Sequence, residues 1–317
     1  MSESAAGPQL LPLLCTSYSG STLVGLLASA SPQLCFTSQL SDLSLDARSG
    51  AHPCGCGAPI AQCGFWREVA VRAGAADPAA WIATAVTHPA AASRTPESGI
   101  GRLARLAAGL APRLGLIGAA AGRASPRHAA LLRAAAEIRR VAECAGEVAG
   151  ARVVLDATKY PEIVGAHIGA VADLRLVYLV RDPRGVVASR MRRRGETAEQ
   201  AARVVLGHAL RHRALLAALP EDRRLVLRYE AVCAAPEREI NRLLAFAGLD
   251  PLPAGALRRV RKGEAHVVGG NPMRFDLEQD RVALDQRWRE QLTAADLATI
   301  RRWLPERIWL AAARSDA

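Results

Sequence analysis

Aromatic residues are scarce in this chain, at 4% of 317 residues. A core built without them rests on Ala and Leu, both strong helix formers, so a helix-rich protein is expected. Long apolar runs are missing too. No stretch of 18 apolar residues occurs, which excludes a transmembrane helix. Met1 to Leu14 has no basic n-region, and its apolar stretch, Leu10 to Cys15, is short and broken by Pro12. It reads as a buried first strand rather than a secretory leader. The seven cysteines are an odd number in a fairly long chain, which does not suit a disulfide framework. A reducing, cytoplasmic setting is expected. No internal repeat is visible. Half the residues are apolar and 22% are charged, which excludes global disorder and allows a substantial core.

Negative charge is also in short supply. Lys and Arg number 41 against 30 Asp and Glu, giving a formal net charge of +11 and a pI of about 10.0. Such a balance suits anionic partners, and equally the solvated faces of Arg-rich helices. A nucleic-acid surface would interleave basic residues with aromatics. The basic run Arg190-Met191-Arg192-Arg193-Arg194 contains none, so no nucleic-acid partner is expected.

What is present alternates between strand and helix. The run Leu10–Cys15, a Ser/Gly turn, and Thr22–Leu27 in helical register read as strand, tight loop and helix. Residues 30–64, rich in Pro, Gly, Ser and Cys, read as an irregular connection. From 65 to 150 the pattern is helical, clearest over Arg127–Ala149, and reads as a helical insertion in a single domain spanning 1–317. Val153–Leu155 and Leu174–Val180 are strand-like, with a helical stretch, Pro161–Val171, between them. That is a βαβ unit with parallel strands. Further helices are expected from Pro183, over Glu196–Leu219, over Pro236–Ala247 and over Thr293–Trp303, with a strand at Arg224–Arg228. The fold class is α/β: three layers, a parallel sheet of about four or five strands, and helices on both faces.

Two segments can carry chemistry. Thr16-Ser17-Tyr18-Ser19-Gly20-Ser21-Thr22 lies between strand and helix. A phosphate needs convergent N–H groups and a positive dipole end, and a Gly-containing turn into a helix N-terminus supplies both. An ordinary Ser-rich N-cap has the same composition. The loop lacks the Lys of G-x-x-x-x-G-K-S/T, which weakens ATPase or GTPase readings. In Arg181-Asp182-Pro183-Arg184-Gly185-Val186-Val187-Ala188-Ser189, the Arg closes a strand and the Ser lies on the next helix. They can converge on one phosphate at the carboxyl edge of the sheet, where ligands of open α/β sheets bind. Pairing of Arg181 with a carboxylate is the plain alternative.

Together these segments resemble the sulfotransferases that use 3′-phosphoadenosine 5′-phosphosulfate (PAPS). The family's first loop has the form P/R-x-S-G-S/T-S/T, and its second motif R-D/N-P-R-D/G-V-x-x-S. The resemblance implies that Ser19, Gly20, Ser21 and Thr22 hold the 5′-phosphosulfate, and that Arg181 and Ser189 hold the 3′-phosphate. Arg228-Tyr229-Glu230 followed by Pro236 resembles the segment whose Tyr lies near adenine, implying that role for Tyr229. His266 to Phe275 resembles the H-x-x-x-G-N-P-x-R segment of many bacterial members, which implies that Arg274 reaches the 3′-phosphate side. Arg261-Lys262-Gly263 is a second choice for that contact. The family usually carries Arg or Lys just before the Ser-Gly of its first loop, where this chain has Tyr18, which either takes part in catalysis as a hydrogen-bond donor or leaves the charge to another residue. Lys159, in Leu155-Asp156-Ala157-Thr158-Lys159, is the candidate substitute cation. It stands 22 residues before Arg181, close to where cytosolic members carry a catalytic His. Asp156 is the candidate base. His128, His167, His208 and His212 fall on expected helices and read as core or solvated side chains, whereas His266 is placed nearer the site.

The resemblance implies transfer of a sulfuryl group from PAPS to a hydroxyl or amine, with no metal required. The acceptor, a small molecule or a glycan, has no motif here. The alternatives are a catalytically inactive nucleotide-binding protein of the same fold, favoured by Tyr18, and a P-loop-like phosphotransferase. His52, Cys54, Cys56 and Cys63 lie within twelve residues. They fit a plain structural loop, a Cys54–Cys63 disulfide, or a zinc site. A similar C-x-C-G-x-P-x-x-x-C-x-F/Y-W segment occurs in bacterial sulfotransferase-like proteins.

Overall fold

The structure, a computed structural model, describes residues 7–88, 90, 126–259, 265–275 and 282–305. Five strands form one sheet: β1 (Gln9–Cys15), β2 (Leu34–Ser38), β3 (Val153–Asp156), β4 (Leu176–Val180) and β5 (Arg224–Arg228). Their order is β2-β3-β1-β4-β5, and every pairing is parallel. Parallel strands are covered on both faces, which is why they read as near-continuous apolar runs. Pro12 has no N–H to donate. It falls where the pairing of β1 passes from β3 (Gln9–Pro12) to β4 (Leu13–Cys15).

The alternation of side chains along β1 sorts the layers. Leu11, Leu13 and Cys15 face one way, toward the helices α1 (Ser21–Ala28) and, late in the chain, Pro236–Phe246. Gly25 on α1 is set by this packing, because a Cβ there would overlap the Phe36 ring of β2. Leu10 and Leu14 face the other way. Leu14 meets Val164 and Leu216, while Leu10 packs beside Ala134, Ile138 and Val154. Three helices form that layer in part or whole: Pro126–Ala149, Pro161–Ala170 and Ala198–Ala217.

The long helix Pro126–Ala149 buries Ala130, Leu131, Ala134, Ala135, Ile138, Val141, Ala142 and Ala145. That spacing of three and four makes one apolar stripe, and its small residues let the helix lie close on the sheet. Residues 91–125 of the expected helical insertion, and Arg261-Lys262-Gly263, lie outside the described residues.

One stretch differs from expectation. Residues 30–64 contain β2 and a helix over Leu43–Ser49, not only irregular chain. β2 is five residues long and carries Cys, Thr and Ser. Its strand character comes from pairing with β3 and from packing, not from an apolar run. Among the described residues no helix is long and apolar enough to cross a membrane.

Candidate active site at the carboxyl edge of the sheet

The order of strands reverses at β1, whose two neighbours are β3 and β4. A crevice opens outside the carboxyl ends at such a point. The loop Thr16–Gly20 leaves β1 there and enters α1. The first turn of α1 has no side-chain cap, so its N–H groups and the positive end of its dipole stay available. Gly20 sits at φ 91°, and a Cβ on it would overlap the Tyr229 ring. Only glycine meets both constraints. Tyr18 also has positive φ, 69°, a costly conformation for a bulky residue. Its carbonyl accepts a hydrogen bond from the Arg181 guanidinium at 3.0 Å, which holds the turn. Thr16 and Ser19 hydroxyls are 2.5 Å apart, and Ser19, Ser21 and Thr22 are buried.

A cation stands at this loop. Lys159 Nζ donates to Ser21 Oγ at 2.7 Å and to Cys15 Sγ at 2.9 Å. It is turned there by a tight bend after β3. Ala157 N–H donates to the Ser38 carbonyl, Thr158 N–H to the Asp156 carbonyl, and Tyr160 N–H to Thr158 Oγ1. Pro161 then opens the next helix. Lys159 therefore brings a positive charge to a loop whose own residues carry none.

On the β4 side, Arg181 lies with its guanidinium 4.4 Å from the Tyr229 ring centroid. It also donates to the Asp285 carbonyl at 3.0 Å and faces the Asp285 carboxylate at 3.3 Å. Hydrogen bonds from Arg287, aided by Arg181, hold Asp285 well below the usual carboxylate range. Asp182 caps the helix Pro183–Arg194, accepting from Arg184 N–H at 2.8 Å. Its own N–H donates to Glu230 at 2.8 Å, tying the end of β4 to the end of β5. Ser189 is buried on that capped helix. Tyr229 is buried between Gly20 and Arg181, and its hydroxyl accepts from Asp285 N–H at 3.2 Å.

Asp156, Arg274 and the helix histidines make other contacts. Asp156 is 2% exposed, and one carboxylate oxygen accepts from Leu40 N–H at 2.8 Å. Burial pushes it up to about 7, against the Leu40 N–H bond, with Asp42 adding and Lys159 opposing. Arg274 donates to the Gly270 and Pro53 carbonyls at 3.0 and 3.2 Å. It is thus anchored beside Thr22, whose hydroxyl accepts from Asn271 N–H. His167 and His212 are buried and are pushed down to about 3 by burial, and His208 to about 4. Neither ring nitrogen of His212 has a hydrogen-bond partner, which suits a neutral core side chain.

Sequence reasoning missed a second group at this edge. His88 Nε2 lies 3.2 Å from Asp42 and 2.9 Å from the Tyr160 hydroxyl. Burial pushes Tyr160 up to about 12. Asp42 follows β2, so without recognition of β2 its position at the carboxyl edge had no signal. Arg194 Nε lies 3.4 Å from the Tyr18 hydroxyl.

The cysteine loop also departs from expectation. Cys54, Cys56 and Cys63 are free thiols, so the Cys54–Cys63 disulfide is not formed. His52 pairs instead with Asp46 at 2.9 Å. Its place beside the cysteines is taken by His266, whose Nδ1 is 3.3 Å from Cys63 Sγ.

Comparisons with known proteins bear on the family and the fold. The model of a family described as "Sulfotransferase family" matches residues 88–253, which include Lys159, Arg181, Ser189 and Tyr229. The solved sulfotransferase domain from the curacin biosynthetic pathway superposes with a TM-score of 0.53 at 15% identity, over 94% of this chain and 97% of that domain. The sulfotransferase domain from the Synechococcus PCC 7002 olefin synthase gives 0.50 at 16% identity, over 96% and 97%. At such identities these two likenesses concern the fold. No curated protein matches the chain.

Proposed function

The chain belongs to the sulfotransferase family, and from that premise we propose that it moves a sulfuryl group from PAPS to a hydroxyl or amine, releasing 3′-phosphoadenosine 5′-phosphate. The observation that carries the proposal is Lys159 Nζ, 2.7 Å from Ser21 Oγ at the uncapped start of α1. A cation and a set of unmet N–H groups meet at one point. Such a point suits the bridging oxygen on which charge builds as the S–O bond breaks.

The chain's own residues divide the work. The Ser19-Gly20-Ser21-Thr22 turn and the α1 dipole take the 5′-phosphosulfate. Arg181 exchanges the Asp285 carboxylate for the 3′-phosphate, with Ser189 assigned to the same group. The face of Tyr229 is covered by Arg181, so Tyr229 supports the loop and the Arg at the adenine end. Arg274 braces the Gly270-Asn271 turn against Thr22. Lys159 neutralises the leaving oxygen, and Tyr18 shields it with Arg194 alongside. Asp156, closed off from solvent, positions Leu40 and the loop carrying Asp42. The Asp42–His88 pair with Tyr160 faces the acceptor, and takes the proton its hydroxyl or amine loses as the new S–O or S–N bond forms. Residues 65–150 form a part of the single domain that shapes the acceptor side. A cytoplasmic setting completes the reading.

Lys159→Met tests it. With radiolabelled PAPS and a panel of acceptors, the variant is expected to lose roughly 10²–10³ in kcat, as for removal of one oxyanion contact. Its affinity for 3′-phosphoadenosine 5′-phosphate should change less than about threefold. Undiminished turnover would remove Lys159 from the mechanism. A wild type that binds the nucleotide but turns over no acceptor would favour the inactive nucleotide-binding reading.

A further inference from the structure

A second cluster of reactive side chains lies away from Lys159 and Arg181. Cys54, Cys56, Cys63 and His266 each point one ligand atom inward, and all four atoms lie within 4.8 Å of one another. Cys56 and Cys63 sulfurs are 3.7 Å apart. His266 Nδ1 is 3.8 Å from Cys54 Sγ and 3.3 Å from Cys63 Sγ. A zinc ion with Zn–S bonds of about 2.3 Å and Zn–N bonds of about 2.0 Å sets tetrahedral edges of about 3.8 Å between sulfurs and about 3.5 Å between sulfur and nitrogen. The separations of 3.7, 3.8 and 3.3 Å each lie within about 0.3 Å of those edges, and no other pair of ligand atoms exceeds 4.8 Å. They are too long for a disulfide, whose sulfurs sit about 2.05 Å apart, and too compact to spread over a multinuclear cluster.

We propose that Cys54, Cys56, Cys63 and His266 bind one zinc ion, which staples the cysteine loop to the segment lying beside β2. The surroundings fit a closed, four-ligand structural site. Cys54 and Cys63 are buried, and Cys56 and His266 are half-buried. The Phe65 ring stacks on His266 with centroids 4.7 Å apart, fixing the imidazole plane. Such outer contacts orient metal ligands.

The ion joins parts of the chain that are remote in sequence. Cys63 and His266 are separated by 203 residues, so closing that loop removes much unfolded-state freedom. The tied segment is already registered on the sheet edge. Val268 N–H donates to Thr37, its carbonyl accepts from Gln39 N–H, and the Val267 carbonyl accepts from Gly55 N–H. Two residues further on, the Gly270-Asn271 turn reaches Thr22 on α1. The metal acts as a brace outside the reaction, and its ligands come from two segments far apart in the chain.

The test uses the full chain purified without added metal, and it is independent of any sulfotransferase assay. Elemental analysis should find about one zinc per chain, retained in Cys144→Ser and lost in Cys56→Ser and in His266→Ala. Cobalt exchanged into the site should give the intense thiolate-to-metal band and the visible bands of a tetrahedral centre with three thiolates and one imidazole. Alkylation followed by mass spectrometry reads the same site in wild-type protein, where folding of variants is not at issue. Cys56 should resist labelling until a zinc chelator is added, and the same chelator should lower Tm by roughly 10 °C. Absence of stoichiometric zinc, together with Cys56 labelling at one rate with or without chelator, would overturn the proposal. Stoichiometric iron or copper in place of zinc, or a disulfide among these cysteines, would overturn it as well.

Discussion

Gly20 carries more constraint than any other residue of the loop. It takes a left-handed φ of 91°, and its missing side chain leaves room for the Tyr229 ring. That ring in turn carries the Arg181 guanidinium, so one small residue sets the height of the loop and the seat of the Arg. Gly20→Ala is expected to cost about 1–3 kcal/mol, from backbone strain and the displaced ring. Urea unfolding measures this, and nucleotide affinity should fall with it. A variant as stable as the wild type would mean that Tyr229 does not pack where the structure puts it. Tyr18, one position from Ser19, shares the positive φ without the excuse of being glycine. Strain held at a site by Arg181 and Arg194 is the kind that function retains.

At the scale of elements, Asp156 connects β3 to the loop after β2. Its carboxylate is buried, accepts from Leu40 N–H, and is raised to about 7 by burial. The unfolded chain gives up this proton near the ordinary carboxylate range, while the folded chain keeps it to about 7. Between those values the unfolded state binds fewer protons, so stability falls as pH rises through the window. Asp156→Asn keeps an acceptor oxygen and has no charge to bury. Relative to wild type it should gain on the order of 2 kcal/mol between pH 5 and pH 8, read from denaturant melts at the two pH values. Parallel stability curves would mean that the carboxylate reaches water. The same connection marks what the sequence could and could not disclose. β4, with the run Leu-Val-Tyr-Leu-Val, and the helix Pro126–Ala149, with its long periodic stripe, announce themselves by pattern. β2 does not, because its five residues become a strand only through pairing with β3. The loop after β2 therefore had no expected location, and Asp42 and His88 went unrecognised. His266 was placed near the Gly-Asn-Pro turn, but its partners among the cysteines come from tertiary contact alone, while the sequence neighbour His52 goes to Asp46.

For the whole molecule, the reversal of strand order at β1 gathers the site from segments far apart in the chain. Thr16–Thr22 follows β1, Asp156–Lys159 closes β3, Arg181 follows β4 and Tyr229 follows β5. The net charge of +11 arises entirely after residue 100, and there Lys159 and Arg181 flank the same turn, through Ser21 and Tyr18. Under the proposed function, that pairing is the seat of a nucleotide with anionic groups at both its 3′ and 5′ positions. The most direct measurement is calorimetric binding of 3′-phosphoadenosine 5′-phosphate beside AMP and ADP, for wild type and for Arg181→Ala. A preference for the 3′-phosphorylated ligand is predicted, and it should largely vanish in the variant. A charged phosphate contact is worth about 1.5–3 kcal/mol, or roughly ten- to hundredfold in affinity. Equal binding of all three ligands, or an unchanged preference in Arg181→Ala, would contradict the account.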